Sequence, residues 1–273
     1  MKKYIKQSID SLPPLPNNII ELEDFRKTDS YDAQKLLKII EKDPLMVATI
    51  LRIANSSMFG FRGGVDTLSR AVNLLGINFT ISAAIGSAIQ NSMSSNLCAY
   101  AVTNEDFIFT SSLATNIINT WISSINFDLK NDLLLPAFLQ EVGKYVISEV
   151  IQENRLTEEF LQEIGQSDDI SKTEEKFTGY PCSRITANIF KHWSFNHNII
   201  FSIGFVGDLE SCPQEYKQKV QILEIVKILC DIRNPLSDKN IQKAVEKAAL
   251  YGFDIEHLVN SIDVIKEVIE QNS

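Results

Sequence analysis

Histidine is scarce: the chain of 273 residues holds three, His192, His197 and His257. His192 and His197 stand five apart across an expected helix break, whereas a two-histidine metal pair on one helix needs a spacing of four. All three therefore read as surface or structural side chains. The four cysteines, Cys98, Cys182, Cys212 and Cys230, form no CxxC or CxxH pair. That excludes a zinc knuckle and a redox motif, and leaves free thiols as the expectation. Glycine and proline are also few, at 11 and 8, which speaks against a turn-rich sandwich or barrel. No basic run exceeds Lys2-Lys3, and the net charge is −9. Nucleic-acid affinity rests on Lys and Arg displacing counterions, so nucleic acid is an unexpected partner. Long apolar runs are missing too. Residues 198–207 are too few to span a bilayer, and no apolar stretch follows the charged start at Lys2 and Lys3. The expectation is a cytoplasmic chain without a membrane span.

Hydrophobic residues make up 44% and charged residues 22%, enough for a sizeable core in an ordered chain. Leu, Ile, Ala, Glu, Lys and Gln dominate, which favours helices. Charge is uneven: residues 128–176 carry twelve acidic against five basic side chains. This acidic middle is read as a solvated helical face or, alternatively, as a docking surface.

Periodicity places helices along most of the chain. Leu12-Pro13-Pro14-Leu15-Pro16 is extended, because adjacent prolines block a helix. Taken alone it suits either a polyproline ligand or an edge that buries its leucines. A helix over about 17–26 follows. Ser30 is the expected cap of the next, which ends near Lys42. Asp43-Pro44 opens an apolar helix that is expected to be central in its lobe, since Asp accepts from free N–H groups and Pro suits the first turn. Gly60, Gly63 and Gly64 mark a loop containing Phe59 and Phe61. Thr67 or Asp66 caps a helix ended by Gly76, and residues 77–93 form another, rich in small residues. Further helices are expected from Asn104 to Trp121 and from Asp132 past Gly143 to Gln152, with Pro136 in the first turn. Ser171 and Glu174 have the spacing of a capping box. Pro181 opens a helix ending near Trp193, and patterns over 214–231, 237–251 and 254–270 close the chain.

The order of motifs resembles the HDOD family from about Leu12 to Val206. The resemblance is carried by the Leu12–Pro16 opening, by Asp43-Pro44-Leu45 with the stretch from Leu51 to Gly60, and by residues 69–76. Any one of these is weak; three in order at fitting intervals are specific. The resemblance implies an all-α fold in which an N-terminal helical lobe (about 1–96) packs on an HD-like lobe (about 97–206). Residues 207–273 form a C-terminal helical extension, expected to cover the HD-like lobe or to make a homodimer contact. Asp43, Pro44, Asn55, Ser56, Gly60 and Gly76 are the motif residues, read as structural. Asn and Ser at a helix end bond nearby backbone and hold a chain reversal.

Catalytic HD relatives converge His and Asp side chains on a metal that activates water. The matching positions in this sequence are Ser111, the pair Gln140-Glu141, Cys182, and the stretch around Asp208. Serine and glutamine are weak ligands, one carboxylate does not make a site, and Cys182 lacks soft companions. The resemblance thus implies a degenerate site with no metal, no cofactor and no catalytic residue. The expected function is a regulatory or scaffold protein of bacterial signal transduction, working through protein partners. Two alternatives stay open. One is a small-ligand sensor with Ser111, Gln140, Glu141 and Cys182 lining a metal-free pocket. The other is a residual phosphohydrolase using Glu141 and Asp208. Candidate partner surfaces are the Leu12–Pro16 segment, the Phe59–Phe61 loop and the acidic middle.

Overall fold

The structure is a computed structural model that describes residues 1–28, 32–93, 95–123 and 125–272. Among these residues there is no strand, and helices follow one another throughout. The first lobe contains α2 (Asn17–Lys27), α3 (Ala33–Ile40), α4 (Pro44–Ala54), α5 (Leu68–Leu75) and α6 (Ile77–Ser92). Ser30 lies outside the described residues. The carboxylate of Asp32 caps α3, accepting from the backbone N–H groups of Gln34 and Lys35.

α4 is not the central helix of this lobe. It buries Met46, Ile50, Ile53 and Ala54, but Leu45 is 64% exposed. The central helix is α6, buried from Phe79 to Ile89 and packed against α2, α3, α4 and α5. Small residues let its neighbours approach. At Gly86 a Cβ would stand 2.1 Å from the Phe138 ring, so only glycine admits that ring at the junction with the second lobe.

The second lobe contains α7 (Asn104–Trp121), α8 (Phe127–Leu139), α9 (Gly143–Glu153), α10 (Thr157–Gln166), α11 (Ile170–Thr178), α12 (Cys182–His192) and α13 (His197–Gly204). Several boundaries differ from expectation. Thr103, not Asn104, caps α7, in a reciprocal box with Asp106. α8 begins at Phe127 under an Asn126 cap, which places Pro136 inside the helix rather than in its first turn. Proline has no N–H for the carbonyl four residues back. Asn198 of α13 donates to that carbonyl, Asp132 O, at 3.3 Å. The helix pattern past Asp132 also breaks at residues 140–142 before α9 resumes it.

A helix that periodicity did not mark, α1 (Lys2–Asp10), buries Ile5 and Ile9 against α9 and α12 of the second lobe. It leads into the proline segment, which is anchored to the second lobe. Trp193 Nε1 donates to Pro13 O at 2.9 Å, and Leu12 and Leu15 pack on the core. Phe59 and Phe61 are likewise engaged: they stack at 5.5 Å, and Phe59 meets Phe79 edge-on at 5.4 Å.

The chain closes with α14 (Lys217–Leu229), α15 (Asp238–Tyr251) and α16 (Ile255–Asn272). α14 packs on α7, α8 and α13, and α16 crosses α7. The end of α16 reaches the Gly60 turn, where a Cβ would stand 2.7 Å from Asn272 Nδ2. No single helix among the described residues is long and apolar enough to cross a membrane.

Candidate functional site

The turn between α8 and α9 carries Gln140, Glu141, Val142 and Gly143. It is pressed onto the start of α12. A Cβ on Gly143 would stand 2.7 Å from Thr186 Oγ1 and 2.8 Å from Cys182 O, so glycine is required by close approach. In return, the Gly143 N–H donates to Thr186 Oγ1 at 2.9 Å. This contact aims residue 141 at the space between α9, α12 and α14.

Four ionisable side chains meet there. Lys144 Nζ lies 2.9 Å from Glu141 Oε2 and also pairs with Glu174. Lys227 Nζ lies 2.8 Å from Glu141 Oε1. None of the four side chains is more than 16% exposed, and Glu174 is completely buried. Tyr100 donates its hydroxyl to Glu174 Oε1 at 2.9 Å, and its ring lies 4.7 Å from the Lys144 ammonium. Buried charges cost several kcal/mol each unless they are paired, and here two carboxylates face two ammonium groups.

Titration follows this geometry. Burial alone would raise the Glu141 carboxyl, but the Lys144 and Lys227 ammonium groups hold it down to about 2. Burial would lower Lys144, yet Glu141 and Glu174 push it well above its ordinary value. Lys227 is raised in the same way, with Glu141 the largest opposing influence on burial. Burial first, then the Glu141 and Glu174 charges, push the Cys182 thiol up to about 12. Such a thiol is neutral in the physiological range and a poor nucleophile.

The five degenerate positions do not all line one cleft. A cleft of about 1020 Å³ is lined by Glu141, Lys144, Lys227 and Asp208, but not by Ser111, Gln140 or Cys182. Those three are buried side chains. Cys182 Sγ lies 3.7 Å from Thr186 Oγ1, and Gln140 Oε1 has no hydrogen-bond partner. Asp208 pairs with a cation of its own, accepting from Arg184 Nη2 at 2.9 Å. Its carboxyl is lowered first by the Ser211 side chain and, against the opposing influence of burial, by Arg184.

Tyr100, Lys144, Glu174 and Lys227 are not among the residues that the sequence singles out for the site. Glu174 has the spacing of a capping box with Ser171. Asp169 caps α11 instead, and Glu174 turns inward. Lys144 carried a signal in its i,i+3 spacing from Glu141. Lys227 carried a weaker one, as a lone cation between Val226 and Ile228 in an apolar run. Two of the twelve charges of the acidic middle, Glu141 and Glu174, are thus interior.

The motif residues of the first lobe bond to backbone. Asp43 Oδ1 accepts from Leu45 N at 3.0 Å and Met46 N at 3.2 Å, while Pro44 fills the first helical position. Asn55 Oδ1 accepts from Val65 N at 2.8 Å, and its Nδ2 donates to Val65 O and Leu51 O. Ser56 Oγ donates to Ile53 O at 2.7 Å. Gly60 and Gly76 have φ of 57° and 84°, a region that favours glycine.

The residues present do not fit a catalytic metal. Ser111 and Gln140 are weak ligands, Cys182 is a lone soft one, and both Glu141 oxygens face ammonium groups. Among the described residues no three His, Cys, Asp or Glu side chains converge as a metal site. His192 and His197 are exposed, and His257 pairs with Asp254 at 3.2 Å.

Comparison with known proteins places this architecture. One solved structure, a candidate signal transduction protein from Marinobacter aquaeolei VT8, superposes with a TM-score of 0.70 at 18% identity, over 96% of this chain and 58% of that one. A candidate phosphohydrolase from Shewanella amazonensis SB2B superposes at 0.65 with 20% identity, over 100% and 99% of the two chains. At such identities the likeness is one of fold. An uncharacterised protein of Treponema pallidum (strain Nichols) is 22% identical over 223 residues, and the match spans 78% of this chain but only 41% of that relative. The HDOD domain profile matches residues 12–208, most of the chain, which therefore belongs to the HDOD domain family.

Proposed function

We propose that the chain is a non-enzymatic regulatory or scaffold protein of the HDOD type, acting through protein partners in bacterial, cytoplasmic signal transduction. The observation that carries this reading is the buried Glu141–Lys144–Glu174–Lys227 network. Its Glu141 belongs to the pair that the resemblance matches to the two-residue metal motif of catalytic relatives, and the network ties up that carboxylate. Metal catalysis needs open coordination positions and a bound water; ammonium groups supply neither. The test is metal analysis of the purified protein, with turnover assays on nucleotides and cyclic dinucleotides. The expected result is no stoichiometric metal and no hydrolysis. Stoichiometric iron or manganese with metal-dependent hydrolysis would sink the reading.

A second reading, a small-ligand sensor, is favoured by the cleft beside the network. A volume of about 1020 Å³ lies at the upper end for ligand pockets. In this reading the ligand meets Lys144, Lys227 and Asp208 rather than Ser111, Gln140 and Cys182. Thermal melts across a metabolite library test it, since a ligand that binds only the folded state raises the melting temperature.

A further inference from the structure

We propose that the degenerate HD-like site is a cation site whose occupant is Lys227, a side chain of the C-terminal extension itself. The family match ends at residue 208, so this cation comes from outside the matched domain. Within residues 12–208, the buried carboxyls of Glu141 and Glu174 share one ammonium group, that of Lys144. Lys227 makes the count two and two. The cluster still holds spare acceptor capacity, because Glu174 Oε2 is buried without a hydrogen-bond partner and Glu141 Oε1 meets Lys227 as an ion pair only. A pocket with spare carboxylate oxygen and one shared cation favours a second positive charge.

The fold delivers that charge by packing. α14 buries Val220, Ile222, Leu223, Ile225, Val226 and Leu229, and it seats on α7, α8 and α13. Lys227 extends from this helix to Glu141. The extension is therefore more than a cover on a finished domain: it closes the charge balance of the site. A resident ammonium group also bars a divalent ion, by occupying the position and by repulsion at close range. This inference rests on the same network as the non-enzymatic reading above, but its thermal-melt test fails separately from the metal and turnover assays that test that reading.

Thermal melts of the full chain test it, using Lys227→Met, Lys227→Arg, Glu141→Gln and the double variant Glu141→Gln/Lys227→Met. Lys227→Met is expected to lower Tm by about 6–15 °C, the effect of orphaning a buried charge in a chain of this size. Lys227→Arg retains most of the stability. The double variant recovers at least half of the loss, because both charges leave together. Losses that simply add in the double variant overturn the proposal. If Lys227→Met does not fold, a folded double variant supports the proposal and an unfolded one overturns it.

Discussion

The two lobes use polar residues in opposite ways. In the first lobe, Asp43, Asn55 and Ser56 bond to backbone groups at most ten residues away. Each satisfies a helix end or a turn that its own sequence neighbourhood creates. Across the second lobe and the C-terminal extension, Tyr100, Glu141 with Lys144, Glu174 and Lys227 come from four separate stretches of chain. Their charges balance only when those stretches are assembled. Local polar contacts stabilise by small, separable amounts, whereas a buried charge network fails as a unit. The first lobe should therefore tolerate single losses that the second lobe does not.

The sharpest way to break this contrast is to orphan a charge in the network. Lys144→Met should cost about 3–5 kcal/mol in urea denaturation, because Glu141 and Glu174 both lose a partner. A cost below about 1 kcal/mol would place the network on a par with exposed pairs.

Acid titration sharpens the same point. Glu141 is held at about 2, below its ordinary 4.5. A depressed carboxyl contributes fully above its unfolded value and loses that contribution as pH falls through its folded value. Melts of the unaltered chain and Glu141→Gln should therefore differ most at neutral pH and converge between about 4.5 and 2. A difference independent of pH would show that charge is not what Glu141 contributes.

At the junction of the lobes, Gly86→Ala should cost about 1–3 kcal/mol by overpacking, since the added methyl meets the Phe138 ring. In the first lobe, Asn55→Ala should cost about 1–3 kcal/mol in the same denaturation assay, and the loss should add to that of Lys144→Met. Strong coupling between the two would break the picture of separable lobes. The smallest effect belongs to Arg52, whose exposed pair with Glu105 joins α4 to α7 at 2.8 Å. Arg52→Gln should change stability by less than about 1 kcal/mol.

Much of the helical order was legible because its signals are local. The Asp43-Pro44 start, the Gly76 stop and the spacing of Leu68, Ala71, Val72 and Leu75 each act within a turn or two of helix. Short elements were less legible. α1 has only Ile5 and Ile9 to bury, too few for a periodic pattern, and it is stable only against α9 and α12. Pro136 misled for a related reason. A proline argues for a first turn unless another segment satisfies the freed carbonyl, and Asn198 does so from 66 residues away. The candidate site was half legible. Its motif positions could be matched one by one, but Glu174 looked like a cap and Lys227 like an ordinary helix residue. Exposed and buried charges have the same letters, and only packing tells them apart.

By itself, the sequence determined that this chain is helical, that its motifs run in HDOD order, and that strong metal ligands are missing from the matching positions. Those properties follow from residue type and spacing, which act locally or by simple chemistry. Only the tertiary structure decided what replaces the missing ligands. It buried Ser111, Gln140 and Cys182 away from the cleft, turned Glu174 inward, and brought Lys227 from beyond the matched domain to Glu141. The physical reason is that a buried charge requires a partner within a few ångströms in space, and nothing obliges that partner to be near in sequence.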